Sequence, residues 1–228
     1  MRLACLFSGG KDSTFSLYKS LMHGHEIPCL VSLHPFNDES MLYHFPNNIL
    51  FKKISEAIGI PIIEKYCKDT KKEHEIDKLL LSVKQAIDQY SIDGLTHGTI
   101  SSRFQLNIFQ EICNKLNIKL YSPVWGIEPC QYYDDLINSG FEIIITGVAA
   151  QGLDEKWLGR TIDKTNYELL KKESKKFKFN ITFEGGEAET MVLNCPIYNK
   201  RIKIAKYNLK WDGIRGTFEI SDVDLITK

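Results

Sequence analysis

"FSGGKDST" occupies residues 7–14, directly behind the apolar run "RLACLF" and directly ahead of "FSLYKSLMHG", whose apolar residues recur at helical spacing. Paired glycines where a strand turns into a helix let backbone N–H groups approach an anion closely, and the helix start adds partial positive charge. Ser8 to Ser13 therefore reads as a phosphate turn. The spacing GxxxxGK[ST] is absent because Lys11 follows the glycines directly, and the dinucleotide pattern GxGxxG is absent too.

Working outward, the strand-turn-helix rhythm repeats. Arg2 to Phe7 predicts a strand and Ser13 to His23 a helix ended by Gly24. Ile27 to Leu33 predicts a second strand, and Leu50, Ile54 and Ile58 mark one face of a helix stopped at Gly59. "IPIIEKYC" supplies a third strand; Ile76, Leu79, Leu80, Val83 and Ile87 then stripe an amphipathic helix. "DGLTHG", a helix carrying Phe104, Ile108, Ile112 and Leu116, and "IKLYSP" complete the series. This alternation predicts an α/β fold, a doubly wound, Rossmann-like parallel sheet of five strands. Ligands of such sheets bind beyond the carboxyl ends of the strands, which selects Ser8 to Ser13, residues 34–47 and His97 to Gln105.

After Pro123 the rhythm changes to a helical stretch at Cys130 to Ile137, the β-prone "FEIIITGV", the helical "TNYELLKKESKKF" and several short β-like runs broken by Gly and Pro. We expect a nucleotide-binding domain over 1–125 and a smaller C-terminal α+β domain over 126–228 that carries "EGGEAET" and binds the substrate.

The 228 residues hold 29 Lys plus Arg against 29 Asp plus Glu, so bulk charge gives no reason to expect direct nucleic-acid binding or an acidic membrane partner. No segment approaches the ~20 apolar residues of a membrane span, and a cytoplasmic location is expected. The six cysteines stand singly with no CxxC pair, which argues against a zinc ribbon, a dithiol centre or an iron-sulfur cluster.

"SGGKDS" resembles the pyrophosphate loop of the N-type ATP pyrophosphatases, the PP-loop branch of the HUP-type folds, which cleave ATP to AMP and pyrophosphate while adenylating a substrate. "ESMLYHFPN" (39–47), "GTISSRFQ" (98–105), "GLDEKWLGR" (152–160) and "EGGEAETMVLNCPIY" (184–198) resemble, in order, segments of the diphthine-ammonia ligase family. With "WDGIRGTFEI" (211–220) the similarity spans essentially the whole chain, and the acidic "EGGExET" pattern is its most specific part.

The resemblance implies ATP and Mg²⁺ as cofactors. Lys11 and the Gly9 and Gly10 amides would hold the departing pyrophosphate, Ser8 and Ser13 would add hydroxyls, and Asp12 would help place Mg²⁺. Tyr43, Asn47 and Gly98, inside matching segments, would belong to the nucleotide pocket. It also implies a partner, translation elongation factor 2, whose modified histidine, diphthine, is adenylated on its carboxylate and then amidated by ammonium. Glu184, Glu187 and Glu189 would hold the ammonium ion and accept its proton. Gly185 and Gly186 would bring their loop close to the substrate, and Arg160 would pair with a phosphate or carboxylate. Trp157 reads better as interface packing than as a ligand platform. His34, His44 and His97 stand near predicted strand ends, as pocket lining or as structural residues.

Three positions depart from the family pattern: Leu106 in place of a basic residue, Phe183 in place of a glycine, and Ala188 in place of an aromatic. A small carboxylic acid as acceptor, and a nucleotide sensor without turnover, remain alternative readings. Oligomeric state is open.

Overall fold

Five runs of the chain, each with at least one aliphatic residue, pair side by side in the computed structural model, which describes residues 1–34, 50–67, 69 and 71–228. They form β1 (Arg2–Leu6), β2 (Glu26–His34), β3 (Ile62–Tyr66), β4 (Gly94–Thr96) and β5 (Lys119–Tyr121). Every pairing is parallel and the order is β3-β2-β1-β4-β5, the five-stranded doubly wound sheet expected above. The order reverses between β1 and β4, so their carboxyl ends define the switch point of the sheet.

The helices are α1 (Lys11–Met22), α2 (Phe51–Ile58), α3 (Lys72–Tyr90) and α4 (Arg103–Leu116). α1 begins two residues earlier than its apolar spacing suggests, which places Lys11 and Asp12 inside its first turn. Alternate strand residues point to opposite faces. Ala4, Leu6, Val31, Leu33 and Leu95 pack with Leu79 and Val83 of α3 and Ile108, Phe109 and Ile112 of α4 in one buried cluster. Burying each of the Val, Leu, Ile and Phe side chains contributes about 1.5–3 kcal/mol.

Cys5, on the opposite face, turns its thiol toward the Ser13 carbonyl of α1 at 3.8 Å. Beside it in register stands Thr96, whose hydroxyl meets Ser16 Oγ at 2.9 Å and Ser20 Oγ at 3.0 Å. α1 is thereby fastened to β4 by buried hydroxyls.

Grouped by proximity, the chain forms two units: Met1–Ser8, Asp12–Asn48 and Gly59–Gly126 in the first, and Gly9–Lys11, Ile49–Ile58 and Ile127–Lys228 in the second. The first holds the parallel sheet. The second is built on β6 (Glu142–Val148), β7 (Ala188–Asn194), β8 (Lys200–Trp211) and β9 (Gly216–Thr227), ordered β7-β6-β9-β8 with antiparallel pairing. It also contains α2, α5 (Pro129–Asn138) and α6 (Lys164–Phe177).

Caps set these helix limits. Glu128 accepts from the Cys130 N–H at 2.7 Å ahead of Pro129, and Asp163 accepts from the Asn166 N–H at 2.8 Å. At the end of α2, Asn199 donates its backbone N–H to the Ala57 carbonyl at 2.7 Å and its side-chain amide to the Ile58 carbonyl at 2.9 Å. Two orphan carbonyls of a short helix are thus satisfied.

The short β-like runs expected near the end of the chain are partly replaced by one long hairpin, with twelve residues in each of β8 and β9. Gly213, at φ +99°, makes the turn, and the Asp212 carboxylate accepts from the Ile214 and Arg215 N–H groups at 2.8 Å each. Among the described residues no helix is long and apolar enough to cross a membrane.

Candidate functional site

The candidate residues fall in both units. In the first, Ser8 follows β1, and its N–H donates to Ser13 Oγ at 3.2 Å while the two hydroxyls lie 3.1 Å apart. The hydroxyls expected to serve an anion are therefore tied to each other across the turn. Gly98, just past β4, explains how the turn fits: a Cβ there would stand 2.5 Å from Asp12 C and Ser13 N and 2.7 Å from Asp12 O. Only a residue without a side chain lets the end of β4 pass this close to the first turn of α1, so Gly98 shapes the turn by packing.

His97 is buried. The Thr99 N–H donates to its Nδ1 at 3.2 Å, which leaves the proton on Nε2, 2.7 Å from Ser122 Oγ. Thr99 Oγ1 in turn donates to Gln105 Oε1 at 2.9 Å. This histidine fixes the loop after β4. His34, at the end of β2, is held by Glu64 Oε2 at 2.7 Å and stacks on Tyr66 with centroids 4.3 Å apart. Both read as structural. Tyr43, Asn47 and His44 lie outside the described residues.

Asp12 occupies the second position of α1 and is half-buried. Among the described residues no group of three or more His, Cys, Asp or Glu side chains is arranged to hold a metal. Mg²⁺ in nucleotide enzymes is held by one or two carboxylates together with substrate phosphates, so a single aspartate beside an anion turn fits it.

In the second unit, Gly9, at φ +79°, accepts on its carbonyl from the Val192 N–H at 3.1 Å, and Lys11 donates its backbone N–H to Thr190 Oγ1 at 3.2 Å. The glycine segment is thereby laid along β7. The Lys11 side chain is only 1% exposed. Its Nζ donates to the Thr182 carbonyl at 2.6 Å and lies 5.2 Å from the Phe183 ring centroid and 5.8 Å from that of Tyr132. A buried ammonium requires such partners.

Thr182 is itself held, since Asn180 Oδ1 accepts from its N–H at 3.0 Å and from its hydroxyl at 2.9 Å. Glu187 closes the acidic loop, accepting the Asn180 N–H on Oε1 at 3.1 Å and the Gly185 N–H on Oε2 at 2.9 Å. A Cβ at Gly185 would stand 2.8 Å from Glu187 Oε1 and would displace the end of that side chain, and Gly186 turns at φ +81°. Of the three carboxylates read as an ammonium cluster, Glu187 is thus engaged by its own loop. Glu189 stands on β7 opposite Gly147, where a Cβ would approach within 3.1 Å of the Glu189 side chain. Glu184 is half-buried in the turn ahead of β7.

Phe183 has φ +65°, a left-handed conformation that costs a non-glycine residue about 1–2 kcal/mol. The glycine that the resemblance leads one to expect there would meet no such cost, and here the ring packs over Lys11. Arg160 stacks on Trp157, its guanidinium carbon 4.8 Å from the ring, in a groove of about 660 Å³ whose walls include Phe177, Trp211 and Ile214.

Sequence reasoning missed Asn180, Thr182, Thr190, Tyr132 and Gly147. Four of them carry no motif. Thr190 closes "EGGEAET", yet only the fold brings it to Lys11. Burial pushes the Cys29, Cys113 and Cys195 thiols up to about 12, keeping them out of any nucleophilic role.

The family description "Diphthamide synthase N-terminal domain" matches residues 1–120, and "Diphthamide synthase C-terminal domain" matches residues 128–226. A human protein named diphthine–ammonia ligase is 29% identical over 220 residues, covering 89% of this chain and 82% of its own length. The rat protein of the same name is 30% identical over 222 residues, covering 90% and 83%. A solved structure described as a predicted subunit of tRNA methyltransferase from Methanocaldococcus jannaschii is 19% identical, covers 86% of this chain and 98% of its own, and has a TM-score of 0.45.

Proposed function

Since this chain belongs to the diphthamide synthase family, we propose that it uses ATP to join ammonia to the carboxylate of diphthine on translation elongation factor 2, forming diphthamide. A diphthine carboxylate oxygen attacks the α-phosphorus of ATP, the bond to the β-phosphate bridge breaks, and pyrophosphate leaves. Ammonia attacks the acyl carbon of the adenylate, the carbon–oxygen bond to AMP breaks, and AMP leaves.

One observation carries this reading: an anion turn at the switch point of a parallel sheet, whose approach to β4 admits only glycine at position 98. The Gly9 and Gly10 amides with Lys11 bind the pyrophosphate, and Ser8 and Ser13 orient the turn. Asp12 would hold Mg²⁺, which supplies charge neutralisation to the phosphates when bound. Tyr43, Asn47 and Gly98 are assigned to the nucleotide pocket, Gly98 through packing. Glu184 and Glu189 take the ammonium ion and its proton, while Glu187, with Gly185 and Gly186, shapes the loop that presents them. Arg160 aligns the diphthine carboxylate. We assign nucleotide binding to a domain over 1–125, substrate binding to 126–228, and the work of the protein to the cytoplasm.

The test is to incubate the protein with ATP, Mg²⁺, ammonium and elongation factor 2 carrying diphthine. AMP release that requires the factor is expected, with a mass fall on the factor equal to the exchange of a hydroxyl for an amino group. AMP formation indifferent to the factor would refute the assignment of substrate.

A further inference from the structure

Lys11 has two claims on it. The function proposed above asks its ammonium to grip phosphate, yet in the structure the same group is buried, donating to the Thr182 carbonyl at 2.6 Å beneath the rings of Phe183 and Tyr132. A neutral carbonyl is a weaker partner for an ammonium than a phosphate oxygen, because hydrogen bonds between two ionised groups are shorter and stronger. Phosphates therefore compete with Thr182 for Lys11.

What hangs on Thr182 is the acidic loop. Its N–H and hydroxyl are both accepted by Asn180 Oδ1, and the Asn180 N–H is accepted by Glu187, whose other oxygen accepts the Gly185 N–H. A continuous chain of hydrogen bonds thus runs from Lys11 Nζ through Thr182 and Asn180 to the carboxylate that closes the "EGGE" turn. Phe183, held at φ +65°, sits within this chain and contributes the ring over the ammonium.

We propose that Lys11 is a positioning residue as well as a phosphate ligand: it holds the 180–187 loop through Thr182, and nucleotide phosphates draw it away and loosen that loop. The ammonium-handling carboxylates are then rearranged only after ATP is bound, which would limit wasteful turnover of the adenylate. This rests on the ligase reading for the identity of the anion. Linkage makes the idea quantitative: if phosphate and the Thr182 bond exclude one another, weakening the loop must tighten nucleotide binding by the same factor by which nucleotide loosens the loop.

The probe is α,β-methylene ATP with Mg²⁺, which resists cleavage between the α and β phosphates, read by calorimetry and by backbone amide exchange at Asn180 and Gly185. In the wild-type protein, saturation with the analogue should speed exchange at both amides by about fivefold or more. Asn180→Ala removes the acceptor for Thr182. The more conservative Thr182→Val removes only the hydroxyl donor, in case the first variant folds poorly. Both should show fast loop exchange before analogue is added and should bind the analogue more tightly than wild type, an outcome that simple loss of structure does not produce. Analogue binding with unchanged exchange at both amides, and no tighter binding in either variant, would overturn the inference and leave the ligase reading standing. Failure of the wild-type protein to bind the analogue at all would remove both.

Discussion

Gly98→Ala is the sharpest probe of the anion turn. The added Cβ would begin 2.5 Å from Asp12 C and Ser13 N, both backbone atoms, and the first turn of α1 would have to retreat to an ordinary 3.4 Å. Gly98 is not among the glycines with positive φ, so alanine meets no conformational penalty of its own and the effect is purely steric. Overpacking of this kind costs about 1–3 kcal/mol. Part of that is absorbed by moving the turn that is meant to hold phosphate, and a shift of about 1 Å at a positioning site can lower turnover roughly 100-fold. We expect α,β-methylene ATP affinity to fall roughly 10-fold or more and AMP release to fall further, with the far-ultraviolet circular dichroism unchanged. Gly98→Ser, adding an oxygen to the same clash, should be worse. Wild-type nucleotide affinity in Gly98→Ala would refute the claim that this contact shapes the turn.

Lys11→Ala should abolish AMP release and also lower thermal stability by about 2–4 kcal/mol, because it empties a buried site and leaves the Thr182 carbonyl unpaired; a variant as stable as wild type in urea melts would contradict the burial. Glu187→Gln turns one accepting oxygen into a donor facing a backbone N–H. It should slow amide formation more than pyrophosphate release, so normal rates for both would remove Glu187 from the loop's function. For the thiols, a raised pKa means the unreactive protonated form persists well above neutral pH. At pH 8 an alkylating reagent should modify exposed Cys130 quickly and Cys5, Cys29, Cys67, Cys113 and Cys195 only after denaturation; fast modification of two or more would contradict their burial.

Much of the parallel half was legible in the letters, because β1, β2 and β4 are buried along almost their whole length and the helices carry clear stripes. Lys11 was legible as a residue of the turn, but not as a buried one: no local pattern announces that a lysine will point at a carbonyl 171 positions away. Asn180 and Thr182 are the polar members of a run that alternates with Phe179, Ile181 and Phe183, and they acquire meaning only through their hydrogen-bond partners. The β8–β9 hairpin was hidden for another reason. Most β8 side chains are exposed, so the apolar alternation that advertises a half-buried strand is diluted, and Gly213 and Gly216 look like breaks. Phe183 is the instructive case, since the resemblance leads one to expect glycine there, yet only the dihedral angle shows that this bulky residue itself adopts a left-handed conformation.

The hydroxyls of Ser16, Ser20 and Thr96 give α1 a property that oily contacts would not. Apolar surfaces tolerate sliding, since a helix displaced along a greasy face exchanges one set of contacts for a similar one, whereas a hydrogen bond is lost within a fraction of an ångström. Three hydroxyls meeting in the dry interior act like a dowel, fixing both the advance and the rotation of the helix whose leading end carries Asp12 and Ser13. Ser16 and Ser20, a full turn or more behind the glycines on α1, and Thr96 at the end of β4 would then set the aim of the groups proposed to meet the nucleotide, and drift in ATP affinity among related sequences could be sought at those three positions.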